Sequence, residues 1–166
     1  MRYANILEFD VTNGTGVGVS LFVQGCPHHC KNCFNPETWS FNEGKEWNEN
    51  SATYLLNLVS RKYISRISIL GGEPLCKENL TDVKKVIESV HRSYPDVNIW
   101  VYTGYEYEEL TQEQIDAIFY ANVLIDGRFE EDKKSLALPF RGSSNQRIID
   151  IQNTLNSNKI KLYKEV

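Results

Sequence analysis

Three of the four cysteines of this 166-residue chain lie on one short stretch. Cys26, Cys30 and Cys33 have the spacing C-x3-C-x2-C. Small secreted domains that depend on disulfides usually carry more cysteines, paired and spread along the sequence, so this pattern gives little support for disulfides. Thiolates are the soft ligands of zinc and of iron–sulfur clusters. A structural site takes four protein ligands, so three cysteines predict a reactive centre with one open position.

A structural zinc site is the alternative interpretation of the same stretch. His28 or His29 would then supply a fourth ligand and close the coordination shell. The interpretation that we favour is that both histidines shape the loop or face solvent. Cys76 lies further along the chain and is interpreted as a buried bystander, although it could also become a fourth ligand.

Four motifs follow directly after predicted strands. In α/β sheets and barrels the carboxyl ends of the strands share one edge, and ligands bind at that edge. We therefore expect the four motifs to converge in space. They are Cys26 after a strand over 17–23, Gly71-Gly72-Glu73 after 64–70, Thr103-Gly104 after 97–101, and Asp126-Gly127 after 123–125.

Hydrophobic periodicity predicts the elements that position these motifs. Residues 6–10 and 17–23 are expected to form an antiparallel pair around the turn at 13–16. Helices are expected over 51–62 and 79–94, with Leu55, Leu58 and Val59 of the first facing inward. A capping box at 111–114 predicts a third helix, which should bury Ile115, Ile118 and Phe119. Residues 35–50 and 127–144 are expected to be loops, and 147–151 and 160–163 short strands.

The alternation of strands and helices implies a mostly parallel sheet with helical crossovers. The chain has too few units for an eight-fold barrel, so the fold class is expected to be α/β, a partial and open βα barrel. The length is that of a single domain over residues 1–166.

Composition restricts the partners and the compartment. The net charge is −4 and no stripe of lysine or arginine occurs, so we expect no nucleic-acid partner. No apolar run approaches the roughly 18 residues of a membrane helix, so no membrane partner is expected. The first five residues lack the apolar core of a secretory signal, and the protein is expected to be cytoplasmic.

Six further motifs resemble those of a known protein family. They occur in order as N-G-T-G at 13–16, S-L-F-V-Q-G-C at 20–26, N-P-E-T-W at 35–39, Y-T-G-Y at 102–105, D-G-R-F at 126–129 and R-G-S-S-N-Q-R at 141–147. With the cysteine spacing and Gly-Gly-Glu-Pro at 71–74, the chain resembles the radical S-adenosylmethionine (SAM) enzymes. Within them it resembles the glycyl-radical activases of anaerobic ribonucleoside-triphosphate reductases, from about residue 5 to residue 150.

The resemblance implies a radical SAM barrel and a specific chemistry. Cys26, Cys30 and Cys33 would bind three irons of a [4Fe–4S] cluster, and the fourth iron would bind the amino and carboxylate groups of SAM. An external one-electron donor would reduce the cluster, and the resulting 5′-deoxyadenosyl radical would generate a glycyl radical on the large subunit of the reductase. Further SAM contacts are expected from Gly71, Gly72, Glu73, Thr103 and Asp126.

The resemblance also implies roles for two arginine-containing segments and leaves alternatives open. Arg128 is a candidate partner for a carboxylate, and 141–147 is either a surface loop or a contact with SAM or the reductase. The runner-up function is activation of another glycyl-radical enzyme, such as pyruvate formate-lyase. A non-enzymatic electron carrier or a zinc-binding adaptor is the alternative from a different class.

Overall fold

Within residues 1–164 the chain forms seven strands and four α-helices, and most of them occur where the sequence pattern predicts them. The computed structural model describes residues 1–164. The strands are β1 Arg2–Asp10, β2 Gly18–Gln24, β3 Lys45–Glu46, β4 Arg66–Gly71, β5 Asn98–Tyr102, β6 Val123–Asp126 and β7 Arg147–Asp150. The helices are α1 Glu49–Val59, α2 Lys77–Ser93, α3 Gln112–Ala117 and α4 Ile151–Ser157. Short 3-10 helices occupy Pro36–Thr38, Tyr107–Glu109 and Glu131–Lys133.

All seven strands join one mixed sheet of order β3-β1-β2-β4-β5-β6-β7. The four neighbours β2, β4, β5 and β6 are mutually parallel, whereas β1, β3 and β7 pair antiparallel at the two sides. The α/β class, the antiparallel entry pair and the mostly parallel centre are therefore confirmed. Because the central strands are parallel, their carboxyl ends lie along one edge of the sheet.

The two faces of the sheet differ in what covers them. Alternate residues of a strand point to opposite faces. One face carries apolar side chains that form the main core with the helices; its buried members include Val19, Leu21, Val23, Ile67, Ile69, Val101 and Leu124, together with Leu55, Leu58, Val83, Ile87, Val90 and Ile118. Trp100, Val123, Ile125 and Ile148 form a second buried cluster, against which Tyr102 and Phe140 pack.

A buried arginine organises the turn between β1 and β2. The Arg66 guanidinium donates to the carbonyl oxygens of Asp10 at 2.8 Å, Asn13 at 2.9 Å and Thr15 at 3.2 Å. A Cβ added to Gly18 would lie 2.6 Å from Cζ of Arg66, so glycine leaves room for the guanidinium. Arg66 thereby fixes the turn at 11–17, from which Thr12 and Asn13 line the cavity described below.

Four details differ from the sequence prediction. Asn48 caps α1 by accepting a hydrogen bond from the Ser51 N–H at 3.1 Å, so this helix begins at Glu49. The predicted loop over 35–50 contains a 3-10 helix and β3. The predicted strand over 160–163 is only a bridge between Ile149 and Leu162, and the sequence analysis missed α4 between the two.

The predicted burial of Phe119 is also wrong. Helix α3 starts at the expected capping box but ends at Ala117, so helical spacing no longer holds at Phe119. Its side chain is 51% exposed and packs against the Tyr120 ring. Ile118 is fully buried as expected, and Ile115 packs partly buried against the core. No helix within residues 1–164 has both the length and the apolar character needed to cross a bilayer.

Candidate functional site

A cavity of about 600 Å³ lies at the carboxyl edge of the parallel strands. The three clustered cysteines line it, together with the turns that follow β4 and β5 and part of the 127–146 segment. The expected convergence of the cysteine loop with these strand ends is confirmed. The predicted site residues on the wall are Cys26, Cys30, Cys33, Gly71, Gly72, Glu73 and Thr103.

Backbone hydrogen bonds and two left-handed residues give the cysteine loop its path. The N–H groups of Gly25 and Cys26 donate to the carbonyl oxygens of Thr38 at 2.8 Å and Trp39 at 3.0 Å. His29 and Asn32 have φ values of 48° and 54°, a region that histidine and asparagine enter more readily than most residues. Cysteine spacing alone did not reveal these turns, which keep three thiols on one short loop.

The three clustered cysteines are free thiols, and burial disfavours the ionisation of Cys26 and Cys30. Within the described chain no disulfide forms, and Cys26 is buried while Cys30 and Cys33 are half-buried. Burial raises the pKa of Cys26 to about 11, against the opposing effect of the His28 and His29 backbone N–H groups. Burial also raises the pKa of Cys30. Because the thiolate is the ligand form, a bound cation must supply the charge compensation that the loop itself lacks.

The glycines after β4 allow two backbone segments to touch. A Cβ on Gly72 would lie 2.9 Å from the carbonyl carbon of Gly25 and closer still to its oxygen. The Glu73 N–H donates to the Gly25 carbonyl oxygen at 2.8 Å, and the Gly72 N–H donates to Val23 at 2.9 Å. The sequence analysis expects SAM contacts from Gly71 and Gly72. In the structure a Cβ on Gly72 would first meet the cysteine loop at Gly25, and one on Gly71 would meet the backbone of β2 at Phe22 and Val23.

Asn79, which sequence reasoning missed, strengthens the same contact. Its buried amide donates to the carbonyl oxygens of Gln24 and Glu73, both at 3.0 Å. An asparagine in the first turn of α2 has no periodic signal of its own, so only its burial among polar groups identifies it. The turn after β4 and the start of the cysteine loop therefore form one hydrogen-bonded unit.

Glu73 lies at the centre of the site with its carboxylate 1% exposed. Its Oε1 accepts hydrogen bonds from the Leu75 N–H at 2.9 Å and the Thr103 hydroxyl at 2.8 Å. Its Oε2 accepts from the Gly104 N–H at 2.7 Å and lies 2.8 Å from Nε2 of His28. Glu73 and Thr103, predicted as two separate ligand contacts, therefore contact each other.

The two histidines of the cysteine loop differ. His28 is buried against Glu73, so the interpretation that it faces solvent is wrong. His29 is exposed, and its ring stacks on Trp39 with centroids 4.7 Å apart. Neighbouring positions in a loop carry no periodicity that would distinguish a buried histidine from an exposed one.

Asp126 contacts protein groups rather than the cavity. Its Oδ1 accepts from Nε of Arg147 at 3.0 Å, and its Oδ2 accepts from the Tyr107 N–H at 2.9 Å. Arg147 also binds Glu108 at 2.7 and 3.0 Å. This network ties β6 and β7 to the segment after β5. The expected cofactor contact of Asp126 stays a prediction.

The segment after β6 forms a wall beside the cysteines. Lys31 Nζ lies 3.3 Å from Glu131, and the Asn32 amide donates to the same carboxylate. The Phe34 and Phe129 rings pack with centroids 5.0 Å apart. Arg141 also lines the cavity, and its buried Nε has no hydrogen-bond partner within the described residues. Arg128 is exposed.

Comparison with known proteins identifies the family. The 4Fe-4S single cluster domain matches residues 12–149. The anaerobic ribonucleoside-triphosphate reductase-activating proteins of Salmonella typhimurium and Escherichia coli are each 38% identical over 148 residues, which are 88% of this chain and 96% of theirs. The protein of the same name from Enterobacteria phage T4 is 35% identical over 89% of this chain and 93% of its own. The chain belongs to this family of activating proteins.

Membership of the activating-protein family confirms the resemblance drawn from the ordered motifs. The domain match covers the cysteine loop and all four strand-end motifs, and it supports an iron–sulfur cluster in this protein. The cysteine loop suits such a group because its three thiols are free and face an open cavity. Within residues 1–164 no three histidine, cysteine, aspartate or glutamate side chains are grouped as ligands of a single metal ion. Cysteine ligands of a four-iron cluster each bind a different iron and do not need that grouping.

Proposed function

We propose that this protein is a radical SAM activase for an anaerobic ribonucleoside-triphosphate reductase, formed as a single domain of the partial, open barrel type. One observation carries the proposal. Three free cysteines and the Gly-Gly-Glu-Pro turn line the same cavity at the carboxyl edge of four parallel strands. Ligands of α/β folds bind at this edge. The names of the related activating proteins support the same reductase as the target.

Cys26, Cys30 and Cys33 would hold a [4Fe–4S] cluster and leave one iron free for SAM. The bound cluster would supply the electron for reductive cleavage of SAM to methionine and a 5′-deoxyadenosyl radical, which would take a hydrogen atom from a reductase glycine and be released as 5′-deoxyadenosine. The protein's own contribution is to place these groups and to exclude water. An external donor must supply the electron, because such clusters can have strongly negative potentials.

The turns after β4 and β5 would position the methionyl end of SAM. Glu73 brings a buried negative charge to the cavity wall, beside Gly71 and Gly72. Protein donors already surround both carboxylate oxygens, so we propose that Glu73 attracts the SAM ammonium mainly through its charge. Arg141, with its unpartnered Nε on the wall, suits the SAM carboxylate.

Thr103 would act beside Glu73 by fixing its carboxylate. Asp126 would act less directly, because its carboxylate holds the segment after β5 through Tyr107 and Arg147. Loss of Asp126 would therefore change the shape of the cavity wall.

The test begins with anaerobic iron–sulfur reconstitution. The reduced protein is mixed with SAM, and electron paramagnetic resonance (EPR) spectra and 5′-deoxyadenosine are measured. We expect a [4Fe–4S]+ signal that changes on SAM addition, together with 5′-deoxyadenosine. Cys26→Ala should abolish both, whereas Cys76→Ala, which also removes a buried thiol, should keep both. Uptake of one zinc without any response to SAM would reject the enzyme in favour of an adaptor.

The target is tested by adding the large subunit of an anaerobic ribonucleoside-triphosphate reductase. We expect a glycyl-radical EPR signal on that subunit. Pyruvate formate-lyase in a parallel reaction should remain without one. A radical on pyruvate formate-lyase alone would replace the proposed target with the runner-up.

A further inference from the structure

His28 is buried inside the cysteine loop, between two of the proposed cluster ligands. Its side chain is only 4% exposed. Its ring packs edge-on against Tyr105 with centroids 4.7 Å apart. A Cβ on Gly104 would lie 2.5 Å from Cδ2 of His28, so glycine at this position makes room for the ring. Three segments therefore enclose one imidazole.

The imidazole is directed at the carboxylate of Glu73. Nε2 of His28 lies 2.8 Å from Oε2. A carboxylate only accepts hydrogen bonds, so His28 donates through Nε2–H. The other three donors, from Leu75, Thr103 and Gly104, all come from the turns after β4 and β5. His28 is the one donor to Glu73 that the cysteine loop contributes within the described residues.

This placement gives His28 an effect that the remaining donors do not have. An ionised carboxylate that is fully buried requires its hydrogen bonds, because each missing bond leaves an unsatisfied acceptor. Thr103 and Gly104 can fix Glu73 only relative to the strands. The bond from His28 fixes it relative to the loop between Cys26 and Cys30.

We propose that His28 is a positioning residue that couples the cysteine loop to the SAM-binding turn through its bond to Glu73. The inference rests on the proposed function, in which the cysteine loop holds the cluster and Glu73 attracts the SAM ammonium. His28 acts through Glu73 and touches neither cofactor. Its contribution is to keep the ammonium site and the open iron at a fixed distance from each other, so that one SAM molecule can bind both.

Three variants separate this role from general effects on the loop. His28→Asn removes the donor, because the shorter amide does not reach the Nε2 position. His28→Gln restores an N–H donor at about the distance of Nε2. His29→Asn is the matched control, since it makes the same exchange at the exposed neighbour, where asparagine tolerates the left-handed backbone.

The reconstituted proteins are compared by iron content, by the Kd for SAM in equilibrium dialysis with the oxidised cluster, and by the EPR change on adding SAM after reduction. We expect His28→Asn to keep its iron but to raise the Kd about tenfold, the lower end of the range for removing the hydrogen-bonding partner of a metal ligand. Its EPR response to saturating SAM should also be altered. His28→Gln should lie near wild type, and His29→Asn should match wild type.

Several outcomes would overturn the inference. A wild-type Kd for SAM in His28→Asn would contradict it. An equal rise of the Kd for SAM in His28→Asn and His29→Asn would also contradict it. Loss of iron and SAM together, with no rescue by His28→Gln, would mean that His28 only maintains the loop. If wild type itself binds no SAM, the proposed function fails first, and the wild-type sample alone reveals this.

A measurement on the metal-free wild type keeps the inference testable if His28→Asn does not fold. Nitrogen-15 NMR of the imidazoles reports which ring nitrogen carries the proton. We expect His28 to be the Nε2–H tautomer, with a signal that shifts when Glu73 is changed to Gln. An Nδ1–H tautomer at His28 would contradict the geometry on which the coupling depends.

Discussion

Glu73 shows how one buried side chain can depend on three short segments, two of them distant in sequence. Its carboxylate receives hydrogen bonds from the turn after β4, the turn after β5 and the cysteine loop. Each of these segments is short, and none could bury a charge alone. Protein contacts therefore fix the position of the Glu73 carboxylate, which reduces the ordering cost of binding a ligand beside it.

The contact between Gly72 and Gly25 predicts a sharp effect of one methyl group. Gly72→Ala would force the backbone of the cysteine loop away from the turn after β4. We expect a loss of about 1–3 kcal/mol in the free energy of unfolding, the usual cost of overpacking, and incomplete iron incorporation. Urea unfolding and iron analysis measure the two effects.

Gly16→Ala is the control for this prediction. Gly16 has a φ of 72°, and a Cβ there would contact the Ser65 side chain, at the start of β4 and away from the cysteines. It should lose stability through backbone strain and still take up iron normally. Equal iron loss in both variants would show that general destabilisation, rather than the loop contact, controls cluster binding.

The ion pair between Asp126 and Arg147 leads us to expect a loss of stability when one partner is removed. Arg147→Met would leave the buried Asp126 carboxylate without its guanidinium partner. We expect about 2 kcal/mol of destabilisation in urea unfolding, because a buried charge loses its hydrogen bonds. Adding Asp126→Asn should recover part of the loss, since the uncompensated charge is then absent. If the stability changes of the two single variants simply add in the double variant, the two side chains do not stabilise one another.

At the level of elements, the parallel strands place the site and the helices hold the strands. Each of β2, β4, β5 and β6 ends at the same edge, and residues from the segments that follow all four strands line the cavity. Helix α1 supports this arrangement from behind by packing Leu55 and Leu58 against the sheet. A substitution at the end of α1 therefore tests how much this helix stabilises the sheet, without changing any residue of the site.

Asn48 provides that test. Its side chain accepts a hydrogen bond from the Ser51 N–H and caps α1. Asn48→Ala should lower the free energy of unfolding by about 1 kcal/mol, the typical value of an N-cap. Asn50→Ala makes the same exchange two residues later at an exposed position and should have little effect. Equal urea midpoints for the two variants would contradict the capping role.

The elements that could be predicted from the sequence are those with local signals. The strand ends, the helix over 79–94 and the capping box at Thr111 follow from periodicity and spacing within a few residues. The burial of His28 and the contact between Glu73 and Thr103 could not be predicted, because they depend on which distant turns meet. Asp126 shows the same limit: its strand-end position was predicted correctly, but its partner Arg147 lies 21 residues away.

At the scale of the whole molecule, a polar network lies buried beneath the turn that joins β1 to β2. Asp10 accepts hydrogen bonds from Ser20, Thr12 and Asn13, and its carboxylate lies 3.7 Å from the Arg66 guanidinium. Burial raises the pKa of Asp10, but these hydrogen bonds outweigh it and lower the pKa from 3.8 to about 2. The charged form is therefore favoured by folding.

This shift predicts a pH dependence of stability. Because the folded pKa of Asp10 is depressed, its contribution is present above pH 4 and is lost as the pH falls toward 2. The expected contribution at pH 7 is about 2 kcal/mol. Urea unfolding at a series of pH values should show that Asp10→Asn weakens the protein at pH 7 and converges toward wild type near pH 2.5. A constant difference across this range would mean that the Asp10 charge is not involved.

The parallel pairing of β2 with β4 constrains how the protein is made. The cysteines are synthesised early, yet the groups that bury them arrive with Gly72, Glu73 and Gly104. Most of the chain must leave the ribosome before the cysteine loop can pack against the turns that follow β4 and β5. Until then the thiols of the nascent chain are open to oxidants and to stray metal ions. If the cysteines hold the proposed cluster, we expect its insertion to follow the synthesis of Gly104.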